Sequence, residues 1–282
     1  VAAPSIEEVA MKPILWISWI VAALAFAGNA SAQEEASENG WEGRVFLNFN
    51  AGFQTVSPSF AYTHSTVLFE EGATAGLSIP GESGPSFDIA GGVRLVQNLG
   101  VGVTYSRYNN ERTAELSATI PHPFFYGEPG VAQRQIPLSR KEDVLHIQGI
   151  YRIPVTGKLQ LGIFGGPSYF RCKDDLVRQF QLQGEIAQDL DWSVEIADYT
   201  LKVEKDTAWG FNGGGDVFYL FTRYLGVGGT VRYSWASHQT VNDFADTADL
   251  VEDGVWGGTG TVASEAMDHG GLQILGGVSF RF

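Results

Sequence analysis

The stretch Gly271-Leu272-Gln273-Ile274-Leu275-Gly276-Gly277-Val278-Ser279-Phe280-Arg281-Phe282 decides the fold. Leu272, Ile274, Val278, Phe280 and Phe282 alternate with Gln273, Ser279 and Arg281. A period of two defines a strand with one apolar face and one polar or small face. The apolar face runs out on an aromatic residue with no polar tail behind it. A strand whose outer face is solvated by acyl chains needs this arrangement. The expectation is the terminal strand of a β-barrel in lipid.

The beginning of the sequence agrees. Met11-Lys12 precedes an apolar run at 14–27 and the small-residue site Ala30-Ser31-Ala32. This is the layout of a cleavable signal peptide at 11–32. The run is shorter than the ~20 apolar residues a spanning helix needs. Residues 1–10 carry two acids before Met11 and read as an over-extended reading frame. The mature chain is expected to start at Gln33, with 33–43 as a periplasmic N-terminal segment and 44–282 as the barrel. Cys172 stands far from the signal and alone, which excludes an N-terminal lipid anchor and an internal disulfide.

Reading for alternation yields eight strands, at 44–54, 85–95, 100–109, 143–153, 159–171, 207–219, 225–236 and 271–282. Their apolar positions include Phe49, Ile89, Val103, Ile147, Ile163, Phe211, Val231 and Ile274. Each is close to the 9–11 residues with which a tilted strand crosses a bilayer. The connections alternate in length. Those at 96–99, 154–158 and 220–224 are tight; those at 55–84, 110–142, 172–206 and 237–269 are long. Short periplasmic turns against long extracellular loops is the asymmetry of an eight-stranded antiparallel transmembrane β-barrel. Within the long connections, 66–69, 115–120 and 192–204 still alternate and read as strands continuing above the membrane. The alternative is a ten-stranded barrel that uses 172–206.

Charge sorts with this division. The long connections hold 23 Asp or Glu against 8 Lys or Arg, in a chain of net charge −14. That distribution offers no basic surface for nucleic acid. The opposite parity of each strand fills the lumen: Asp88, Arg94, His146, Gln148, Arg152, Asn212, Asp216, Thr230, Arg232, Gln273 and Arg281. An eight-stranded interior is just wide enough to be filled by side chains. The polar network of Asp88, Arg94, His146, Arg152, Asp216, Arg232 and Arg281 is read as a structural plug, with a gated channel as the alternative. Gly92, Gly102, Gly162, Gly210, Gly214 and Gly228 are expected to make room for the arginines. Four of these cations face two acids, which leaves the lumen basic.

Other chemistry is not supported. Gly213-Gly214-Gly215 lacks the strand-to-helix setting of a phosphate loop. His64, His122, His146, His238 and His269 never stand at paired ligand spacing, so no metal is expected. The run Asp243, Asp246, Asp249, Glu252 and Asp253 lacks the alternating oxygens of a calcium loop. Ser234 and His238 have no orienting acid for nucleophilic catalysis. The reading is therefore no enzyme, no catalytic residue and no cofactor. Aromatics gather at strand ends, Tyr105, Tyr169, Trp209 and Trp235 toward the long connections and Tyr151, Tyr219 and Tyr224 toward the tight ones, as two membrane interfaces require.

The phrases Ser-Phe-Asp-Ile-Ala-Gly-Gly-Val-Arg at 86–94, Asn-Leu-Gly-Val-Gly-Val at 98–103, Phe-Gly-Gly-Pro-Ser at 164–168, Trp-Gly-Phe-Asn-Gly-Gly-Gly at 209–215 and Gly-Val-Gly-Gly-Thr-Val-Arg-Tyr at 226–233 carry a resemblance. The chain resembles the small outer-membrane β-barrel domain family, the OmpA/OmpX-like group of porin-family proteins. The resemblance implies Phe280 and Phe282 as part of the signal for the barrel assembly machinery. It implies a cell-outer-membrane location, contact with outer-membrane lipid and lipopolysaccharide, and a structural, adhesive or passive-permeability role. The expected function is a monomeric structural or surface-interaction protein with an unidentified extracellular ligand. A narrow passive porin and a lipid-modifying enzyme are the alternatives.

Overall fold

Alternating faces and β-branched or aromatic residues favour strands throughout, and strands are what form. The computed structural model describes residues 44–55, 60–155, 158–187, 190–239, 255–256 and 266–282. The signal peptide, the segments 1–10 and 33–43 and the acidic run from 243 to 253 lie outside the described residues. The strands are β1 (Val45–Gln54), β2 (Phe60–Leu68), β3 (Glu71–Ile79), β4 (Gly84–Val96), β5 (Leu99–Ile120), β6 (Gly130–Pro154), β7 (Leu159–Ile186), β8 (Trp192–Leu220), β9 (Leu225–Gln239), β10 (Val255–Trp256) and β11 (Ala266–Arg281).

Eight of them close a ring of antiparallel neighbours in the order β1, β4, β5, β6, β7, β8, β9 and β11, with β11 pairing back onto β1. The closing seam runs from Phe46↔Arg281 to Gln54↔Gln273. Arg44 N and Val45 N both donate to Phe282 O, and Phe282 N donates to Val45 O. Closure removes the sheet edges that would otherwise leave backbone groups unpaired. The eight-strand reading holds and the ten-strand alternative does not. Residues 172–186 belong to β7 and 192–206 to β8, while β2 and β3 form a hairpin attached to β5 outside the ring. The hairpin turns through Phe69 and Glu70 at φ 51° and 67°, the left-handed pair that a two-residue turn requires.

The stretches 115–120 and 192–204 do continue ring strands, and the strand extends well beyond them. Most of 110–142 and 172–206 is strand, so β5 and β6 stay paired from Leu99↔Tyr151 to Ile120↔Gly130, and β7 and β8 from Leu159↔Tyr219 to Ile186↔Trp192. The four ring strands β5–β8 have 22 to 29 residues each. That is over twice the length a bilayer crossing uses.

Each face keeps its direction along these strands, but its polarity reverses. On lower β5 the outward side chains are Val101, Val103 and Tyr105, and the inward ones include Thr104 and Ser106. On upper β5 the same outward parity carries Glu111, Thr113 and Glu115, while Ala114, Leu116, Ala118 and Ile120 are buried. On β6 the change falls between Lys141 and Leu145 outside, and between Leu138 and His146 inside. The buried upper residues join Ile79, Leu77, Ile136, Leu182 and Ile196 in one apolar core. The chain is therefore polar-filled below and apolar-filled above.

Candidate functional site

The lower interior is built from residues of one parity on each ring strand. Arg232 on β9 meets Asp88 on β4 at 2.9 Å, and Asn50 Nδ2 donates to Asp88 Oδ1 at 2.6 Å. Arg152 pairs with Asp216. Arg281 lies over the rings of Phe46 and Phe218, at 5.1 and 5.7 Å from their centroids. Such stacking stabilises a guanidinium more strongly when it is desolvated. Arg152, Arg232 and Arg281 are only 1%, 2% and 1% exposed. These side chains fill the section of the tube they occupy.

Hydroxyls and amides complete the network. His146 sits between Ser106 Oγ at 3.0 Å and Ser168 Oγ at 2.8 Å. Gln148 Nε2 donates to Asn212 Oδ1, and Gln148 Oε1 accepts from Thr104 Oγ1. Arg232 Nη1 donates to Gln273 Oε1, Gln273 Nε2 to Gln54 Oε1, and Gln54 Nε2 to Glu142 Oε2, a relay that climbs from the ion pair to the upper interior.

Asp88, His146, Arg152, Asp216, Arg232 and Arg281 thus lie together in the lower interior, and Gln148, Asn212, Thr230 and Gln273 are buried with them. Arg94 is a correction. It sits half-exposed near the end of β4, just before the tight turn to β5, instead of joining the buried network. The expected cation excess shrinks accordingly to three arginines against two acids, and aromatic faces hold the third. Phe280 packs edge-on against Phe49 at 6.1 Å, and Phe282 supplies the backbone clasp on β1. The glycines also differ from expectation. A Cβ on Gly162 would meet Arg152 and Asp216, but on Gly92 it would meet Phe46, and on Gly214 and Gly228 the backbone of a neighbouring strand. Close approach of strands, more than room for arginine, explains them.

Sequence reading missed a second polar layer at the level where the polarity of the faces reverses. Arg140 Nη2 donates to Glu142 Oε1 at 2.6 Å, and Arg140 Nε stands 3.5 Å from Asp174 Oδ1. Arg112 approaches Asp174 at 3.9 Å, and His269 Nδ1 is 3.1 Å from Arg140 Nη2. All five are buried. The signal was present, since Arg140 and Glu142 stand two apart and must share a strand face. Burial alone would raise the Glu142 carboxyl, but the Arg140 charge and the hydrogen bonds from Arg140 and Gln54 outweigh it and hold it at about 2. At Asp174 burial wins over Arg140 and the carboxyl is raised. Burial also pushes the Cys172 thiol up.

Glu142, Cys172 and His269 place ligand atoms within 4.8 Å of one another, a grouping absent from the sequence reading. The Arg140 guanidinium already supplies the cation there, so the donor set suits an ion pair better than a metal. The side chain of His238 lies outside the described residues, and Ser234 is buried.

The closed ring and its filled interior define a small antiparallel β-barrel. No family model and no curated protein matches the chain. Among solved structures it is similar to the crystal structure of Neisserial surface protein A, at 16% identity over 88% of this chain and 100% of that one, with a TM-score of 0.41. It is also similar to the outer membrane protein OprG from Pseudomonas aeruginosa, at 12% identity over 85% and 96%, with a TM-score of 0.42.

Proposed function

We propose that the chain is an outer-membrane barrel with a plugged lumen, whose work is done by the part of the tube that stands outside the lipid. The observation that carries this is the reversal in polarity of the outward and inward faces along β5 and β6. Below the reversal, Phe49, Ile89, Val101, Ile147, Val217, Val231 and Ile274 are exposed on the outside of the ring. An apolar belt of that extent is not tolerated in water. Above it, the same strands enclose an ordinary apolar core, as a body in water does.

The surface-interaction reading is supported by the far end. His122 Nε2 donates to Leu190 O, and its Nδ1 accepts from the backbone of Phe124 and Phe125, which joins the β5–β6 tip to the β7–β8 tip. Beside it Phe124 and Tyr126 are 70% and 86% exposed. Fixed, exposed aromatics are the residues that dominate binding hot spots. The reading is non-catalytic and monomeric. A passive porin is disfavoured by the three buried arginines.

The test is cysteine labelling with a membrane-impermeant maleimide in intact cells, in a Cys172→Ala background. Thr113→Cys should label and Val231→Cys should not. Equal labelling of both would refute the membrane placement. Phe124→Ser with Tyr126→Ser should then abolish adherence of displaying cells while heat-modifiable migration on gels persists.

A further inference from the structure

Neighbouring ring strands carry cations in register on the outward face. Lys141 on β6 pairs with Lys173 on β7, which pairs with Lys205 on β8. The three form a row across strands ~4.8 Å apart. The row two residues lower reads Arg107, Asp143, Arg171 and Thr207, and the next reads Tyr105, Leu145, Tyr169 and Trp209. The lysines and both arginines are exposed.

Acids do not account for this band. Arg107 stands 3.8 Å from Asp143, which also accepts from Tyr105 Oη at 2.6 Å. Lys141, Lys173, Lys205 and Arg171 make no ion pair among the described residues. The row above carries Glu111 and Asp175, and Asp175 accepts from Ser139 N. Like charges placed side by side across strands destabilise a sheet. Three lysines and two arginines beside Asp143, Glu111 and Asp175 leave this patch of surface net positive in a chain of net charge −14, which suits an anionic ligand.

Position selects the anion. The patch sits at the upper edge of the apolar belt, directly above Tyr105, Tyr169 and Trp209, where headgroups meet an aromatic girdle. A ligand there lays acyl chains on the belt and its anionic head against the lysines. We propose that Lys141, Lys173 and Lys205, with Arg107 and Arg171, bind the phosphates of a glycolipid headgroup in the leaflet facing the extension. The inference rests on the membrane reading above.

The test uses the full chain refolded into phosphatidylcholine vesicles doped with either bisphosphorylated or dephosphorylated lipid A, with retained lipid read by native mass spectrometry. The protein should retain the phosphorylated lipid preferentially. Lys173→Gln should weaken the preference roughly fivefold, and Lys141→Gln/Lys173→Gln/Lys205→Gln on the order of a hundredfold, at about one surface lysine's attraction each. Lys202→Gln, off the row and paired with Glu204, should leave it unchanged. Equal retention of both lipids, an unaltered preference in Lys173→Gln and the triple variant, or displacement of the lipid by soluble pyrophosphate would overturn the inference while normal insertion preserves the membrane reading. Failure to insert into undoped vesicles would overturn both.

Discussion

Asp88 on β4 and Arg232 on β9 meet at 2.9 Å across the interior, with β1 and β11 between their strands in the ring. The pair braces opposite walls of the tube. Removing one partner of a buried ion pair leaves an uncompensated charge and costs ~3–5 kcal/mol. Asp88→Ala should therefore lower stability in bilayers by about that much. Asp88→Leu with Arg232→Met should recover most of it. Urea unfolding in vesicles, followed by gel migration, measures both.

Glu142 sets an acid limit on the upper interior. Its carboxyl titrates at about 2 in the fold, against about 4.3 unfolded. A depressed folded pKa gives stability that is complete above pH ~4.3 and lost as pH falls toward ~2, on the order of 3 kcal/mol. Asp174, whose carboxyl is raised, works in the opposite sense, because its ionised form is the costly one. Stability should fall from about pH 5 to about pH 2.5 in the parent, and this fall should flatten in Glu142→Gln. An acid limb that persists unchanged in the variant would remove Glu142 as its source.

Val231 and Thr113 both point outward, one below the reversal and one above it. Arginine against lipid costs ~2–4 kcal/mol near the midplane, whereas arginine in water costs almost nothing. Val231→Arg should lose yield and stability on refolding into vesicles, and Thr113→Arg should match the parent. Matching behaviour of the two variants would contradict the facing assigned to β9.

Ile136 is fully buried in the upper core. Ile136→Ala should cost ~2–5 kcal/mol of local stability. The effect should be confined to the extension, so limited proteolysis should cut within 110–142 while the barrel keeps its heat-modifiable migration. Loss of the barrel itself would show the two interiors to be one cooperative unit.

Alternation made the ring legible because side chains on a strand have only two sides to choose between. The positions of Asp88, Arg152, Arg232 and Arg281 followed from parity alone. Two things did not follow. On β5 the apolar positions move from odd numbers at Val101–Tyr105 to even numbers at Ala114–Ile120, so 115–120 was legible as strand above the membrane, but not that it joins 100–109 without a break. The strand in fact continues, and the surrounding solvent is what changes. Nor could spacing show that Lys141, Lys173 and Lys205 stand abreast, because that depends on the registers of β6, β7 and β8. The upper charged layer was partly readable from Arg140 and Glu142, but Asp174 and His269 reach it only through closure of the ring.

The ladder between β5 and β6 passes through the level of reversal without a bulge. Mechanically, that leaves no joint at the foot of the projecting part. It cannot swivel as a domain on a linker would, so the aromatic tip held by His122 stands at a set height and bearing. A sideways pull on Tyr126 is then resisted by bending of the whole stalk and tilting of its root in the bilayer. Contact made at the tip acts on the membrane as a load on a lever.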